Sequence, residues 1–146
     1  MSGNRKSPLV SIITVVYNNK QGIEKTLNSI VYQTYTALEY IVIDGGSTDG
    51  TLDIISRYQD KIDIFISEPD SGVYDAMNKG IGLATGQLIG MINSGDFYEK
   101  DAIETVVNSY HENPEAAIFH GILRVFDASG ELKSVIGNHS YFLTKG

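Results

Sequence analysis

Carboxylates follow two apolar runs of this chain, at positions where a protein with an open α/β sheet would hold a ligand. Asp44 follows the second apolar run and Asp96 follows the fourth. A carboxylate can accept hydrogen bonds from sugar hydroxyls or from an N–H group. It can also share Mg²⁺ or Mn²⁺ with the phosphates of a substrate. Since such ligands bind outside the carboxyl ends of the strands, the two residues predict one polar crevice.

Further polar groups stand at the other strand ends, and each of them has a purely structural alternative. The first run is followed by Tyr17-Asn18-Asn19 and the third by Glu68-Pro69-Asp70. Asn and Asp are common turn formers, so Asp44 can close its own turn and Asp96 can cap the next helix. Asp75 and Asn78 lie three residues apart on one helix face, where they can reach the crevice or face solvent. The joint pattern at four strand ends favours a ligand site.

The elements that must position these residues alternate between buried strands and amphipathic helices. Short β-branched runs indicate strands buried on both faces, and apolar residues repeating every three or four positions indicate helices. Around residue 116 the pattern changes to two apolar runs joined by a turn, which is typical of a hairpin. The predicted strands are 10–16, 38–43, 62–66 and 87–92, the helices fall within 23–31, 52–58, 75–84 and 102–110, and the hairpin strands are 116–126 and 131–136.

This order of elements predicts the fold class. Strands that alternate with helices form a mostly parallel sheet, and right-handed crossovers place helices on both of its faces. We therefore expect an α/β protein with a doubly wound, mostly parallel sheet flanked by helices and a C-terminal β-hairpin. The 146 residues fit a single domain.

Composition excludes several classes of protein. The net charge of −7 argues against a nucleic-acid-binding protein, which needs a basic surface. The absence of cysteine excludes disulfides and cysteine-bound zinc, and no two of the three histidines stand at metal-site spacing. No apolar run approaches the ~20 residues that span a bilayer. We expect a cytoplasmic protein, with attachment to the inner face of a membrane left open.

The stretch Asp44-Gly45-Gly46 differs from known phosphate-binding loops. It lacks the G-x-G-x-x-G pattern and follows the second strand instead of the first, and the chain has no Walker A lysine motif. A nicotinamide-dependent dehydrogenase is therefore disfavoured.

Four segments together resemble glycosyltransferase family 2, which has the GT-A fold, and in particular its members from bacterial cell-surface polysaccharide synthesis. VSIITVVYNN resembles the opening strand and loop, IDGGSTDGT the nucleotide-binding turn, SEPDSGVYDAMNKGIGLATG the sugar-nucleotide loop and helix, and MINSGDFY the DxD-type metal motif. Their order and spacing agree through about Glu104. The combination is specific, although no single motif is.

The resemblance implies a donor site and a cofactor. Asp44 would contact the uracil or ribose of a UDP-sugar, the main chain from Val15 to Tyr17 would line the base pocket, and Asp96 would hold Mg²⁺ or Mn²⁺ at the diphosphate. The donor-binding set is Val15, Tyr17, Asp44, Ser47, Asp75 and Asn78. Many relatives have two adjacent aspartates where this chain has Gly95-Asp96, so only one metal carboxylate is expected.

Two functions follow as hypotheses. The first is transfer of a sugar from a nucleoside-diphosphate donor to a hydroxyl of a carbohydrate or lipid-linked acceptor, with inversion, in polysaccharide or glycoconjugate synthesis. Family members carry the catalytic base in an acceptor-binding part, so the base is expected beyond Gly146 and residues 1–146 alone are expected to be a poor transferase. The second is a non-catalytic nucleotide-sugar-binding module. The apolar hairpin also predicts self-association, as a homodimer, through the hairpin and the tail from Asn138 to Gly146.

Overall fold

The computed structural model describes residues 6–145, in which short strands and helices alternate as expected. The side chains of Leu123 and of residues 136–141 are outside the description, so the predicted association tail lies partly outside the described residues. In the described part, no helix is long and apolar enough to cross a membrane. The elements are β1 Val10–Val16, α1 Ile23–Val31, β2 Leu38–Asp44, α2 Thr51–Ser56, β3 Ile64–Ser67, α3 Val73–Leu83, β4 Leu88–Asn93, α4 Ala102–Glu112, β5 Ile118–Phe126 and β6 Leu132–Thr144.

All six strands belong to one sheet with the order β3-β2-β1-β4-β6-β5. The first four strands are parallel, and β6 runs antiparallel to both β4 and β5. The register aligns the carboxyl ends of the parallel strands, because Asp44 lies opposite both Val16 and Ser67 while Asn93 lies opposite Val15. The polar residues that follow these strands therefore stand in one row.

Two apolar layers cover the faces of the sheet. Every residue of β1 is buried, and its side chains alternate between the faces as those of a strand must. Ile12 packs in a cluster with Leu27 of α1 and Ile103 of α4, whereas Ile13 packs on the other face with Ala76 of α3. Burying one such isoleucine contributes about 1.5–3 kcal/mol. The doubly wound α/β fold predicted from the sequence is confirmed.

Element boundaries differ from the predicted ones where local hydrogen bonds intervene. β3 begins at Ile64 instead of residue 62, since the backbone N–H of Asp63 donates to the carbonyl of Tyr40 at 2.9 Å and its carboxylate accepts from the Tyr40 N–H at 2.7 Å. α2 ends at Ser56, and the chain continues in tight turns from Arg57 to Ile54 and from Tyr58 to Ile55. These bonds turn the chain back sooner than its apolar spacing predicts.

The hairpin is confirmed, but its second strand is much longer than predicted. β6 continues to Thr144 and pairs with β4, with Gly90 opposite Phe142. The missing side chain of Gly90 makes room for the Phe142 ring, which is 2% exposed. This contact inserts β6 into the main sheet, so β5 becomes the outer strand.

Candidate functional site

The row of strand ends lies where the chain reverses its direction across the sheet. From β1 the chain moves outward to β2 and β3, then returns to β4 on the other side of β1. Ligands of open α/β sheets bind at such a switch point. With neighbouring strands ~4.8 Å apart, the ends of β2 and β4 are separated by roughly 10 Å. The predicted residues Asp44 and Asp96 therefore stand at two strand ends of the same row, and a ligand crevice between them stays a prediction.

The carboxylate of Asp44 is enclosed by its own turn. Asp44 is completely buried. Its Oδ2 accepts hydrogen bonds from the backbone N–H groups of Gly46 at 3.0 Å and Ser47 at 2.9 Å and from the hydroxyl of Ser67 at 2.7 Å, while Oδ1 accepts from the Ser47 hydroxyl. These four bonds hold the turn after β2 against the end of β3. A direct contact between Asp44 and a donor stays a prediction, and it would have to replace some of them.

Ser47, which also belongs to the predicted donor-binding set, connects this turn to the loop after β1. Its buried Oγ accepts a hydrogen bond from the backbone N–H of Asn18 at 2.7 Å. Asn18 has a positive φ of 46°, a conformation that asparagine tolerates better than most residues. Its side-chain oxygen accepts from the Thr48 N–H at 2.8 Å. The loops after β1 and β2 are thus one hydrogen-bonded unit.

Asn19 joins the same unit to the loop after β4. Its Nδ2 donates to the carbonyl of Ser94 at 3.0 Å and to the Ser94 hydroxyl at 3.1 Å, and its backbone N–H donates to Oγ1 of Thr51 at 3.0 Å. The sequence placed Asn18 and Asn19 at a strand end, either as part of the crevice or as turn formers. The sequence signal for their role in joining the loops is two amide side chains directly after a buried strand.

Helix α1 holds the turn that carries Asp96 through two hydrogen bonds of Thr26. The buried hydroxyl of Thr26 donates to the carbonyl of Asp96 at 2.7 Å and accepts from the Gly95 N–H at 2.8 Å. Gly95 has φ of 100°, which only glycine adopts readily. The Asp96 side chain is exposed, and no group in the described part of the chain donates a hydrogen bond to its carboxylate. The helix after it begins at Ala102, so Asp96 does not cap it.

The surroundings of Asp96 suit a hard divalent cation. Desolvation by neighbouring groups raises the pKa of Asp96, and the charge of Lys25 opposes that rise. A cation beside the carboxylate would relieve the same cost. Among residues 6–145 no three His, Cys, Asp or Glu side chains form a metal cage. The residues present therefore fit Mg²⁺ or Mn²⁺ held by one carboxylate and completed by phosphate and water oxygens, and metal binding stays a prediction.

Val15 and Tyr17 stand at the end of β1 in different environments. Val15 is 5% exposed, and its carbonyl accepts a hydrogen bond from the Ser94 N–H at 3.0 Å. Tyr17 is 65% exposed, so its ring can contact a ligand above the crevice. The main chain between them is anchored to the ends of both neighbouring strands, because the Gly45 N–H also donates to the Val16 carbonyl at 2.9 Å.

Asp75 and Asn78 lie on α3, at the β3 side of the row. The carboxylate of Asp75 accepts a hydrogen bond from the Ser71 N–H at 3.0 Å, which is the main cause that lowers its pKa. Lys79 lies 3.6 Å from Asp75 and 2.9 Å from Glu68. Asn78 is exposed. In this structure Asp75 braces the loop before α3, and contact of Asp75 or Asn78 with a donor stays a prediction.

A large cavity lies on the other side of Asp96. Its volume is about 830 Å³, and its walls come from the Asp96 loop, α4 and the β5–β6 hairpin. Phe97 packs against Phe126 with ring centroids 6.2 Å apart, and the ammonium group of Lys25 lies 3.8 Å from the Phe97 ring centroid. Asp96 therefore borders this cavity, whose walls combine apolar and polar residues, as well as the row of strand ends.

The fold is an α/β sheet whose parallel strands end in one row at its switch point, and comparison with known proteins identifies the family. The model of glycosyl transferase family 2 matches residues 11–145, and the chain belongs to glycosyltransferase family 2. An uncharacterised glycosyltransferase of Mycobacterium tuberculosis is 39% identical over 105 residues, 70% of this chain and 40% of that protein. Chondroitin synthase of Escherichia coli is 35% identical over 132 residues, 89% of this chain and 19% of that protein. The chain thus spans less than half the length of these relatives.

Solved structures share the fold and include nucleotide complexes. S. aureus TarS 1-349 in complex with UDP has a TM-score of 0.67 and 25% identity, covering 80% of this chain and 35% of that one. The mannosyltransferase PcManGT from Pyrobaculum calidifontis, in complex with GDP-Man and Mn²⁺, has a TM-score of 0.65 and 26% identity, covering 82% and 36%. The predicted GT-A family resemblance is confirmed.

Proposed function

We propose that this chain forms the donor-binding part of a glycosyltransferase that uses a nucleoside-diphosphate sugar, with a UDP-sugar as the preferred donor. The observation that carries the proposal is the exposed Asp96 carboxylate at the switch point, beside a crevice whose loops are braced to one another. Related folds in complex with UDP, and with GDP-Man and Mn²⁺, support it.

Some residues of the proposed site hold its loops in position, and others bind the ligand. Asp44, Ser47 and the two asparagines keep the loops in place, so little conformational entropy remains to be lost when the donor binds. The Asp96 carboxylate would hold Mg²⁺ or Mn²⁺, which would supply positive charge to a leaving diphosphate. Lys25, which lies close enough to influence the pKa of Asp96, adds positive charge to the same side.

We place the acceptor on the cavity side of Asp96. The cavity adjoins the carboxylate and combines apolar walls with polar groups such as Arg124, which suits a carbohydrate or lipid-linked acceptor that presents a hydroxyl. Transfer with inversion requires a general base to take the proton of that hydroxyl, and we assign this role to no residue of this chain. With a lipid-linked acceptor, the enzyme would work at the cytoplasmic face of a membrane.

Calorimetric titration with UDP, with and without Mn²⁺, tests the proposal. We expect Mn²⁺ to tighten UDP binding at least tenfold, or ~1.4 kcal/mol. Asp96→Asn should abolish this gain while leaving metal-free binding unchanged. Asp101→Asn, an exposed control with no side-chain cap bond at the start of α4, should behave as the wild type. Equal UDP affinity with and without metal would contradict the role of Asp96, and absence of UDP binding would contradict the proposed function.

A further inference from the structure

A second carboxylate reaches the row of strand ends from the loop between β3 and α3. A Cβ atom placed on Gly45 would lie 2.7 Å from Oδ2 of Asp70 and 3.3 Å from its Oδ1. The Asp70 carboxylate therefore rests on the first residue after β2. Gly45 does not have a positive φ, so its backbone conformation is open to any residue. Its missing side chain leaves the space that Asp70 occupies.

The two carboxylates beside the β2 turn differ in what they have left to bind. All four hydrogen bonds of the Asp44 carboxylate come from its own turn and from Ser67, and Asp44 is completely buried. Asp70 is half-buried, and its Oδ1 accepts from the Gly72 N–H at 2.9 Å. Among the groups that the structure describes, none donates a hydrogen bond to Oδ2 of Asp70. Asp70 thus retains an acceptor oxygen beside the crevice.

The loop that carries Asp70 is fixed at both ends. The Glu68 N–H donates to the Asp44 carbonyl at 3.0 Å, and the Glu68 carboxylate pairs with Lys79 at 2.9 Å. At the other end, the Ser71 N–H donates to Asp75 at 3.0 Å. A side chain held by such a loop can select a ligand by geometry, because its position does not depend on the ligand.

We propose that Asp70 recognises the base of the donor nucleotide, with its free carboxylate oxygen accepting the N3–H of uracil. The inference rests on the proposed function, since it names the residue that reads the base in that crevice. Uracil carries a hydrogen on N3, whereas cytosine carries a lone pair there. A carboxylate accepts from the first and repels the second, so Asp70 selects uridine over cytidine nucleotides, while Asp44 shapes the turn beneath it.

Binding of UDP and CDP in the presence of Mn²⁺ tests the assignment. We expect the wild type to prefer UDP over CDP at least tenfold. Asp70→Ala should weaken UDP binding about tenfold and leave CDP binding unchanged or tighter, so that the preference disappears. Asp70→Asn, which keeps an oxygen for the Gly72 N–H, should bring the two affinities together. Asp60→Asn, at an exposed aspartate paired with its neighbour Lys61, is the matched control.

Two further measurements separate base recognition from a structural effect. N3-methyl-UDP should bind the wild type about tenfold more weakly than UDP, and Asp70→Ala should not distinguish the two. Gly45→Ala would push its Cβ against the Asp70 carboxylate, so it should reduce the UDP preference in the wild type and add nothing in Asp70→Ala. This variant and Asp70→Asn keep the test valid if Asp70→Ala unfolds.

The possible failures are distinguishable. If Mn²⁺-dependent UDP binding is present but the UDP-to-CDP ratio is unchanged in every Asp70 variant, the assignment of Asp70 is wrong and the proposed function stands. If the wild type binds UDP and CDP equally, the assignment is also wrong. If the wild type binds neither nucleotide, both proposals fall together.

Discussion

The parallel half of the sheet and the β5–β6 hairpin use polar side chains in opposite ways. At the ends of β1, β2 and β4, side chains bind groups that are distant in sequence, and the bond from Asn19 to Ser94 joins residues 75 positions apart. In the hairpin turn, Asp127 binds groups no more than six residues away, in Ser129, Glu131 and Lys133. Apolar side chains show the reverse, because they are buried in β1 and exposed in the hairpin at Ile122 and Val135.

This difference separates loops that are joined by long-range hydrogen bonds from a hairpin that exposes apolar side chains. Long-range polar bonds form only when the whole parallel half has folded, so the crevice and the core form together. The hairpin turn needs only its own residues, and its strands carry exposed apolar side chains that the fold does not cover. The two regions should therefore respond differently to substitution.

Asp44→Ala should have the largest effect on the parallel half. Removal of the carboxylate leaves the N–H groups of Gly46 and Ser47 and the Ser67 hydroxyl without their partner. A buried group that stays unpaired costs about 1–3 kcal/mol. The N–H and hydroxyl of Ser47 are buried, whereas Gly46 is only partly buried and Ser67 is exposed, so we expect a loss of at least about 2 kcal/mol in the free energy of unfolding. Urea denaturation followed by circular dichroism measures it.

Asp53→Ala is the matched control, since Asp53 is exposed on the first turn of α2 and uses only its backbone carbonyl in a hydrogen bond. It should change stability by less than about 0.5 kcal/mol. An Asp44→Ala variant as stable as Asp53→Ala would show that the turn is not held by its carboxylate.

Two glycines of α3 test packing in the same half of the molecule. A Cβ on Gly80 would collide with Ile13 of β1, whereas one on Gly82 meets nothing within 4 Å. Gly80→Ala should destabilise the protein by about 1–3 kcal/mol through overpacking, and Gly82→Ala should stabilise it by about 0.5–1 kcal/mol through helix propensity. Thermal melting of both variants gives the comparison. Equal shifts would mean that α3 does not press on β1 at Gly80.

The fold could be predicted from sequence wherever its signals are local. β1 matches its predicted bounds because six of its seven residues are apolar or β-branched, which is typical of a strand buried on both faces. The length of β6 could not be predicted, since it depends on pairing with β4, more than 50 residues earlier in the chain. Polar residues between Gly137 and Tyr141 also interrupt the alternation that would have extended the strand.

The sequence predicted which strand ends carry the candidate residues, but not how the loops after those strands are connected. The spacing of Asp44 and Asp96 after apolar runs was sufficient to place both at the carboxyl ends of strands. Whether Asp44 faces the crevice or its own turn depends on Ser67, which lies 23 residues away on β3. The space filled by Asp70 likewise depends on Gly45 in another loop. Such pairings arise from the sheet order, which spacing along the chain does not encode.

The exposed apolar side chains of the hairpin predict self-association. Ile118, Ile122 and Val135 are 53%, 69% and 58% exposed, and β5 is the outer strand of the sheet. Exposed apolar patches and free strand edges favour pairing of copies. Light scattering should give a mass above 16.0 kDa that rises with concentration, and the double variant Ile122→Ser with Val135→Ser should return it to that of the monomer. A wild-type mass fixed at 16.0 kDa would exclude the dimer.

Asp127→Asn should have the smallest effect, and one that is lost at acid pH. Hydrogen bonds from the Ser129 hydroxyl and Glu131 N–H, with Lys133 nearby, hold the pKa of Asp127 at about 2, below the ~3.9 of an unfolded chain. Because the folded pKa is the lower one, the stabilisation is complete above about pH 4 and is lost as pH falls toward 2. Urea midpoints of both proteins between pH 7 and 3 should show a constant wild-type advantage that shrinks only below about pH 4. An advantage independent of pH over that range would mean that the Asp127 charge does not stabilise the turn.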